Sequence, residues 1–255
     1  MNEKSAAEDE SAQLRKSLQL LWGVEPPPRR GPKPRVTAEQ VVTAAIAIAD
    51  TEGLDAVSMR SVAEHLGLTA MSLYAYVPSK GVLADAMLDR ILGERAAEPA
   101  AGEHWRDGLH RLAHDNWNIY RRHPWALQVT MTRRPFGPNI LAGLEATLRT
   151  VVGLGLEPQE MVSIVNTVDD YVHGALAASL ETTQAEQDSG LSNDAWLERH
   201  GSLLAEFTTF EDYPTLTELW SNDTLTERHI DFEFGLQRVL DGLERFIADK
   251  QRTVT

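Results

Sequence analysis

The chain has 255 residues, of which 42% are hydrophobic and 24% charged, and it contains no cysteine. This length allows one large domain or two ordinary ones, and the lack of cysteine excludes disulfides, thiol nucleophiles and cysteine-ligated metal sites. No apolar run approaches the roughly 20 residues that cross a bilayer, and no signal peptide is recognisable at the N-terminus, so we expect a cytoplasmic protein with no membrane partner.

The formal net charge is −14, but the acidic residues are unevenly distributed. Residues 29–80 carry six basic and five acidic side chains, whereas residues 96–255 carry 13 basic and 25 acidic ones. Because the second segment would be repelled by a polyanion, this pattern favours binding of DNA through the N-terminal part only.

Residues 1–34 predict a flexible N-terminal extension. The segment is polar, allows at most a short helix, and contains three consecutive prolines at 26–28 that stop any helix. A basic arm follows and includes Arg30, Lys33 and Arg35. The arm is either a solvated linker or a segment that reaches into the minor groove of DNA.

Residues 35–95 predict a head of three short helices and a longer helix that leaves it. Thr37 and Gln40 have the spacing of a capping box at the start of the first helix. Ser58 is a good N-cap for the second, whose apolar face ends at Gly67. The longer helix is expected to run from Ser79 to about residue 95.

The segment after the Gly67 turn predicts the second helix of a helix-turn-helix. Thr69 caps it, and Leu68 is placed to pack on Leu73. With Leu73 turned inward, the outer face is small, hydroxylic or aromatic and carries no acid. In DNA-binding units of this kind, the second helix enters the major groove.

The run L-T-x-x-S-L-Y-x-Y-V-x-x-K from Leu68 to Lys80 resembles the recognition helix of the tetracycline-repressor (TetR) family of bacterial regulators. The resemblance implies phosphate contacts, base contacts and a contact from the preceding helix. The implied DNA-binding residues of the head are Arg60, Thr69, Ala70, Met71, Ser72, Tyr74, Tyr76 and Lys80.

From residue 104 onward the chain is predicted to be helical, with interruptions at prolines and glycines and no strand pattern. Helices are expected near residues 103–123, 125–133, 138–154, 158–183, 194–211 and 225–249. The predicted fold class is therefore all-α with about ten helices. The head at 35–95 would be followed by a ligand-binding and dimerisation domain at 96–255.

Several short segments of this second part, such as W-R-D-G-L from Trp105, also resemble the TetR family. This resemblance implies that Leu112 and Asn116 lie at drug-contacting positions. Thr130 stands where the family's metal-ligating histidine would be, and Arg134 is retained. We therefore expect a mostly apolar organic ligand rather than magnesium-tetracycline, with no cofactor and no resident metal ion. The other candidate ligand-binding residues are Trp117, Trp125, Met131, Asp170 and His173.

The helices near 158–183 and 225–249 have long apolar stripes, which predict a homodimer formed by a four-helix bundle. The expected function is a ligand-responsive repressor that binds a palindromic double-stranded operator. Two alternatives remain open: a DNA-binding architectural dimer without a ligand, and a helical metal-dependent enzyme. The latter rests on His110 and His114, an i, i+4 pair with Asp107 one turn earlier, but the sequence offers no third ligand at a fixed offset. Enzyme motifs are absent from the sequence.

Overall fold

A computed structural model describes residues 3–24, 35–95, 102–130, 136–204, 206–208, 212–221 and 231–254. These residues form twelve α-helices and one short 3-10 helix, and they contain no β-strand. The all-α fold class is therefore confirmed. Within the same residues, no helix has both the length and the apolar character needed to cross a membrane.

The helices are numbered in the order in which they follow one another along the chain. They are α1 (Glu3–Leu21), α2 (Ala38–Glu52), α3 (Met59–His65), α4 (Ala70–Leu73), α5 (Lys80–Leu92), α6 (Trp105–Arg122), α7 (Ala126–Thr130), α8 (Pro138–Val151), α9 (Pro158–Ser189), α10 (Asn193–Leu204), α11 (Pro214–Ser221) and α12 (Phe232–Val254), with the 3-10 helix at Leu54–Ala56. We call α2 to α4 with the start of α5 the head, and α6 to α12 the body.

Local sequence signals account for the head. The backbone N–H of Gln40 donates to Thr37 Oγ1 at 3.1 Å, and Thr37 N–H donates to Gln40 Oε1 at 2.8 Å, which completes the predicted capping box. Gly67 has a φ of +65°, a conformation that glycine adopts without strain, and it forms the turn between α3 and α4. Leu73 is completely buried and fixes α4 on the head core.

Helix α5 joins the head to the body. Its first turn is capped by Ser79, whose Oγ accepts from Val82 N–H at 3.3 Å. Further along, the buried carboxylate of Asp89 accepts from Ile140 N–H at 3.0 Å and so caps α8. Gly137 makes this approach possible, since a Cβ there would lie 2.1 Å from Asp89 Oδ1. The helix ends at Leu92, three residues before the predicted end.

In the body, α6 is surrounded by α8, α9 and α12. Apolar side chains from all four helices meet in one core, which also receives α5. Leu240 on α12 is completely buried within the single chain, as is Leu236 one turn before it. The inner face of α12 is therefore used inside the protomer, and only its outer face remains for a partner.

The N-terminal extension corrects one prediction. Residues 3–21, expected to be loose with at most a short helix, form the 19-residue α1. Leu20 and Leu21 pack against the core through α5, and Trp22 Nε1 donates to the carbonyl oxygen of Phe136 at 2.9 Å. The docking of these apolar residues explains a helix that the polar composition did not favour.

Two boundaries in the body also differ from prediction. The helix expected to end at 183 continues to Ser189, because Ala185, Glu186 and Gln187 favour helix and the residue that ends it is Gly190, at a φ of +67°. The helix expected over 194–211 ends at Leu204. The break expected at Tyr213 and Pro214 is present, but Pro214 also begins α11, a helix that was not predicted, in whose first turn the missing N–H costs nothing. Residues 225–230 of the last predicted helix lie outside the described residues.

Candidate functional site

The outer face of α4 is open to solvent. The side chain of Met71 is 82% exposed and that of Tyr74 is 50% exposed, while Ser72 is exposed beside them. Thr69 caps the helix by accepting from Ser72 N–H at 3.3 Å. Tyr76 differs from the others, because it is half-buried and packs against the head core.

Exposed cationic side chains are present on the helices that precede and follow α4 in the chain. Lys80 is exposed at the first residue of α5, and Arg60 is exposed on α3, where its Nε donates to Glu64 at 2.8 Å. Both partners of this pair are well exposed, so Arg60 can exchange Glu64 for a phosphate at little cost. Arg35 is exposed just before α2, whereas Arg30 and Lys33 lie outside the described residues.

A narrow cavity of about 40 Å³ lies inside the body, between the end of α5 and helices α6, α8 and α9. Its walls are mostly aliphatic, and its polar lining comes mainly from four side chains. The aliphatic residues are Leu92, Leu109, Leu112, Ala113, Ile140, Leu144, Val165 and Val168, and the polar ones are Arg95, Asn116, Thr147 and Asp169.

A chain of hydrogen bonds crosses this cavity. Arg95 Nε donates to Asn116 Oδ1 at 2.8 Å, and Asn116 Nδ2 donates to Asp169 Oδ1 at 3.3 Å. The Arg95 guanidinium also lies against Gly143, where a Cβ would be only 1.8 Å from Nη1. Arg95 therefore occupies space that would otherwise belong to the cavity.

His173 stands beside this polar chain rather than in the cavity lining. Its Nδ1 donates to the carbonyl oxygen of Asp169 at 2.8 Å. Its Nε2 is buried without a hydrogen-bond partner among the described atoms. A buried polar atom without a partner is unfavourable, so His173 could accept a bond from, or donate one to, a group that enters next to Asp169.

The candidate ligand residues are thus only partly brought together. Leu112 and Asn116 line the cavity, whereas Asp170 is exposed on the other side of α9. Trp117 stacks on Phe232 with ring centroids 4.2 Å apart.

Neither Trp117 nor Trp125 lines this cavity, because each of these side chains packs at a contact between helices. Trp125 is buried where α7 meets the head. Thr130 is the last residue of α7, and Met131 and Arg134 lie outside the described residues.

Most of the cavity residues were not among the candidates, and three of them, Asp169, Arg95 and Gly143, belong to the polar chain or contact it. Asp169 carries a readable signal, because it lies four residues after Val165 and so shares the inner face of α9, whereas Asp170 is turned outward by one further residue. Arg95 and Gly143 carry no such signal. Their contact depends on how the end of α5 lies against α8, which no local pattern encodes.

Polar contacts join the body to the head at the C-terminal end of α6. Asp50, near the end of α2, accepts from His123 Nδ1 and from Trp125 Nε1, each at 2.7 Å. Glu94 pairs with Arg122 at 2.8 Å. Because α6 also carries Asn116, one helix connects the cavity with the head.

The opposite side of α6 contacts the first turn of α12. His110 Nε2 lies 2.9 Å from Glu233 Oε1, and His114 Nε2 lies 2.8 Å from Glu233 Oε2. Gln237 Nε2 donates to the same carboxylate at 2.7 Å. Hydrogen bonds from Gln237, His110 and His114 lower the pKa of Glu233 to about 2, so the carboxylate is ionised at neutral pH.

A second cleft, of about 700 Å³, lies between the start of α6, the end of α8 and the end of α12. It is larger than the inner cavity but open to solvent, and it is remote from both α4 and the Asp50 contact. The inner cavity is the better candidate for a ligand site, because two of the helices around it, α5 and α6, also contact the head.

Comparison with known proteins agrees with this architecture. Residues 41–87 match the family described as bacterial regulatory proteins, tetR family, and residues 98–247 match the family described as tetracyclin repressor-like, C-terminal domain. The chain is 41% identical to the HTH-type transcriptional repressor DrrR1 of Streptomyces coeruleorubidus over 243 residues, which are 94% of this chain and 89% of that protein.

Solved structures of ActR from Streptomyces coelicolor have the same fold. The complex of ActR with actinorhodin has a TM-score of 0.69 and 27% identity, covering 82% of this chain and 95% of ActR. The complex of ActR with (S)-DNPA has a TM-score of 0.67 and 26% identity, covering 83% of this chain and 98% of ActR.

Proposed function

The chain belongs to the TetR family of bacterial transcriptional regulators, and on that premise we propose that it is a homodimeric repressor that a small organic ligand releases from a palindromic operator. The observation that carries this proposal is the course of α5. The helix begins with Lys80 beside the exposed face of α4, and the chain directly after it places Arg95 in the inner cavity. One stretch of chain, from Lys80 to Arg95, would therefore contact both the DNA and the ligand.

The exposed face of α4 supports a role in reading DNA. Met71 and Ser72, with Ala70, are placed to meet base edges in the major groove, where side-chain contacts distinguish sequences. Tyr74 and Lys80 flank them and would bind phosphates, which position the helix without reading sequence. Arg60 would add a phosphate contact from α3. Two copies of the head would occupy major grooves about 34–36 Å apart.

The basic arm remains a prediction. Arg35 is exposed at the start of the head, on the chain that leads into α2. If Arg30, Lys33 and Arg35 reach the duplex, each phosphate contact would add about 0.9 to the slope of log affinity against log salt.

The outer faces of α9 and α12 support the proposed dimer. Both helices bury one face within the chain, yet Val162, Phe234 and Phe246 remain exposed on the other. Gly174 and Gly242 leave open space on these helices, which would allow the backbones of two protomers to approach closely. An isologous bundle of two helices from each chain would cover these side chains and fix the distance between the two heads.

The inner cavity is the proposed ligand site. Its aliphatic walls suit an apolar molecule, and Asn116 and Asp169 would orient that molecule through hydrogen bonds. The binding of actinorhodin and (S)-DNPA by ActR supports an organic ligand for this chain. The cavity has too little free volume for such a molecule while Arg95 bonds to Asn116, so binding would require Arg95 to leave.

Displacement of Arg95 offers a route to the head. Arg95 is three residues beyond α5, and its partner Asn116 lies on α6, which contacts Asp50 of α2 through His123. A ligand can release DNA only if it binds the state with Arg95 displaced better than the DNA-competent state. For a hundredfold loss of DNA affinity, the free energies with which the ligand binds these two states must differ by about 2.8 kcal/mol.

The proposal can be tested with the full-length protein and a duplex selected by it from a random pool. Affinity for this duplex would be measured by fluorescence anisotropy with and without actinorhodin, while binding of actinorhodin is followed by calorimetry. We expect a palindromic duplex, one dimer per duplex, and weaker DNA binding when actinorhodin occupies the protein. Full occupancy by actinorhodin with unchanged DNA affinity would favour a DNA-binding dimer without ligand control.

A further inference from the structure

Two histidines on α6 and one glutamate on α12 converge on a single point outside the inner cavity. His110 and His114 are one helical turn apart, with ring centroids separated by 4.5 Å. Both Nε2 atoms face Glu233 Oε2, at 3.1 Å from His110 and 2.8 Å from His114. One potential ligand atom from each of the three residues lies within 4.8 Å of the others.

We propose that His110, His114 and Glu233 bind a divalent transition metal ion, such as Zn²⁺, with water at the remaining coordination position. Zinc bonds to imidazole nitrogen and carboxylate oxygen at about 2.0–2.2 Å, which puts neighbouring ligand atoms about 3–3.5 Å apart in a tetrahedral site. The distances from Glu233 Oε2 to the two histidines are already close to this spacing. The ion would enter by small side-chain shifts and not by movement of a helix.

The surroundings of Glu233 hold it in this orientation. Gln237 Nε2 donates to Oε1 at 2.7 Å, and His110 Nε2 lies 2.9 Å from the same oxygen, while Oε2 lies within 3.1 Å of both imidazoles. Gln237 is itself held by Arg106, whose Nη2 donates to Gln237 Oε1 at 2.7 Å. Outer partners of this kind orient metal-ligating carboxylates and strengthen binding.

The exposure and the donor types indicate which ion would bind. The side chains of His110, His114 and Glu233 are 35%, 38% and 48% exposed, so water can reach the point between them. Two imidazoles and one carboxylate suit Zn²⁺ and its transition-metal neighbours, whereas Mg²⁺ and Ca²⁺ prefer oxygen ligands alone. The i, i+4 spacing of two histidines on one helical face is also typical of zinc sites.

The metal site is independent of the proposed ligand site. The two histidines face α12, whereas Leu112 and Asn116 face the cavity on other sides of the same helix. A bound ion would connect α6 to the first turn of α12, in addition to the stacking of Trp117 on Phe232. We therefore expect the ion to stabilise the body whether or not the protein binds an organic ligand.

The test uses full-length protein without a histidine tag, stripped of metal and titrated with Zn²⁺ by competition against a chromophoric chelator. Titration with Co²⁺ gives a visible spectrum that reports the coordination geometry. We expect one equivalent of metal per chain and an upward shift of the melting temperature. His114→Gln keeps a hydrogen-bond donor to Glu233 but removes a ligand, so Zn²⁺ affinity should fall at least tenfold, about the minimum effect of losing even an outer partner.

Two further variants separate a metal site from a hydrogen-bonded cluster. Gln237→Leu removes no proposed ligand but deletes the bond from Gln237 to Glu233 Oε1, together with the acceptor of Arg106, and should weaken Zn²⁺ binding by about 10–100-fold. His104→Ala removes an exposed histidine at the start of α6 and should leave the affinity unchanged. The proposal is overturned if wild-type protein binds no Zn²⁺, or if His114→Gln and His104→Ala bind it equally well.

Discussion

Arg95 donates a hydrogen bond from Nε to Asn116 Oδ1 at 2.8 Å, and thereby ties the chain after α5 to the middle of α6. Both helices lead to the head, α5 through Lys80 and α6 through the bond between His123 and Asp50. The Arg95 side chain also fills space beside Gly143 that a ligand would need. A ligand that displaced Arg95 would therefore act on both α5 and α6 through one side chain.

Substitution of Gly143 tests this link without any ligand. In Gly143→Ala, the new methyl group would lie 1.8 Å from Arg95 Nη1, so Arg95 has to leave its place. Loss of the hydrogen bond from Arg95 to the partly buried amide of Asn116 costs about 1–3 kcal/mol of free energy. We expect the variant to imitate the ligand-bound state and to bind the selected duplex about tenfold more weakly, since tenfold corresponds to about 1.4 kcal/mol. Fluorescence anisotropy measures the change.

The matched control for Gly143→Ala is the same substitution in an Arg95→Ala background. With the long side chain gone, the methyl group meets no obstacle, and alanine favours the helix over glycine. Gly143→Ala should then have little effect on DNA affinity. An equal loss in both backgrounds would show that the effect does not pass through Arg95.

The contact between head and body can be tested through Asp50. Asp50→Ala removes the acceptor for both His123 and the buried Trp125, so we expect the free energy of unfolding to fall by about 1–3 kcal/mol. Trp125→Phe removes one hydrogen-bond donor but keeps an aromatic side chain, and it should lower the free energy of unfolding by about 0.5–1.5 kcal/mol. Urea denaturation followed by circular dichroism gives both values. Asp55→Ala, at an exposed carboxylate of the same head, is the control, and an equal effect there would argue against the contact.

The sequence predicted those parts of the fold that depend on neighbouring residues. Caps at Thr37, Ser58 and Ser79 and the turn at Gly67 follow from local chemistry, and each is present. The polar stretch after residue 183 predicts the end of α9 too early, because the helix continues through it to Gly190, the residue that adopts positive φ.

The candidate sites were less predictable because they depend on contacts between distant segments. Asp169 could have been preferred to Asp170 from helical periodicity, but Arg95 reaches the cavity only through the packing of α5 on α8. Glu233 is likewise 119 residues from His114, so no fixed offset identifies it as a third ligand. The helices of this protein are thus easier to predict from sequence than the sets of distant side chains that meet in its sites.

The proposed dimer predicts that an exposed aromatic residue on α12 is required for association. Phe234 is 61% exposed, and burial of such a side chain contributes about 1.5–3 kcal/mol per protomer. Phe234→Glu should therefore give monomers in sedimentation velocity. Phe136→Glu is the control, since Phe136 is 66% exposed and belongs to neither α9 nor α12. Leu240 is unsuitable for this test, because it is completely buried and its substitution would test folding. A dimer that persists in Phe234→Glu would place the interface elsewhere.

The ligand is predicted not to be magnesium-tetracycline. The family resemblance implies that Thr130 stands at the position of a metal-ligating histidine. A hydroxyl group is a poor substitute for imidazole as a metal ligand. The cavity walls are aliphatic, with Asn116 and Asp169 as polar groups. Calorimetry with tetracycline and Mg²⁺ should show no metal-dependent binding. Micromolar binding that requires Mg²⁺ would show that another residue replaces the imidazole.

The most direct test of the account is the affinity of the Tyr74→Ala, Lys80→Ala double variant for the selected duplex. Both side chains are exposed beside the outer face of α4, and neither belongs to the head core. The matched control is Tyr213→Ala, Arg199→Ala, since Tyr213 is also 50% exposed and Arg199 is an exposed cation of the body. We predict weaker binding to all duplexes and a shallower salt dependence for the first variant only. Unchanged DNA affinity in Tyr74→Ala, Lys80→Ala would contradict the claim that α4 and the start of α5 bind the operator.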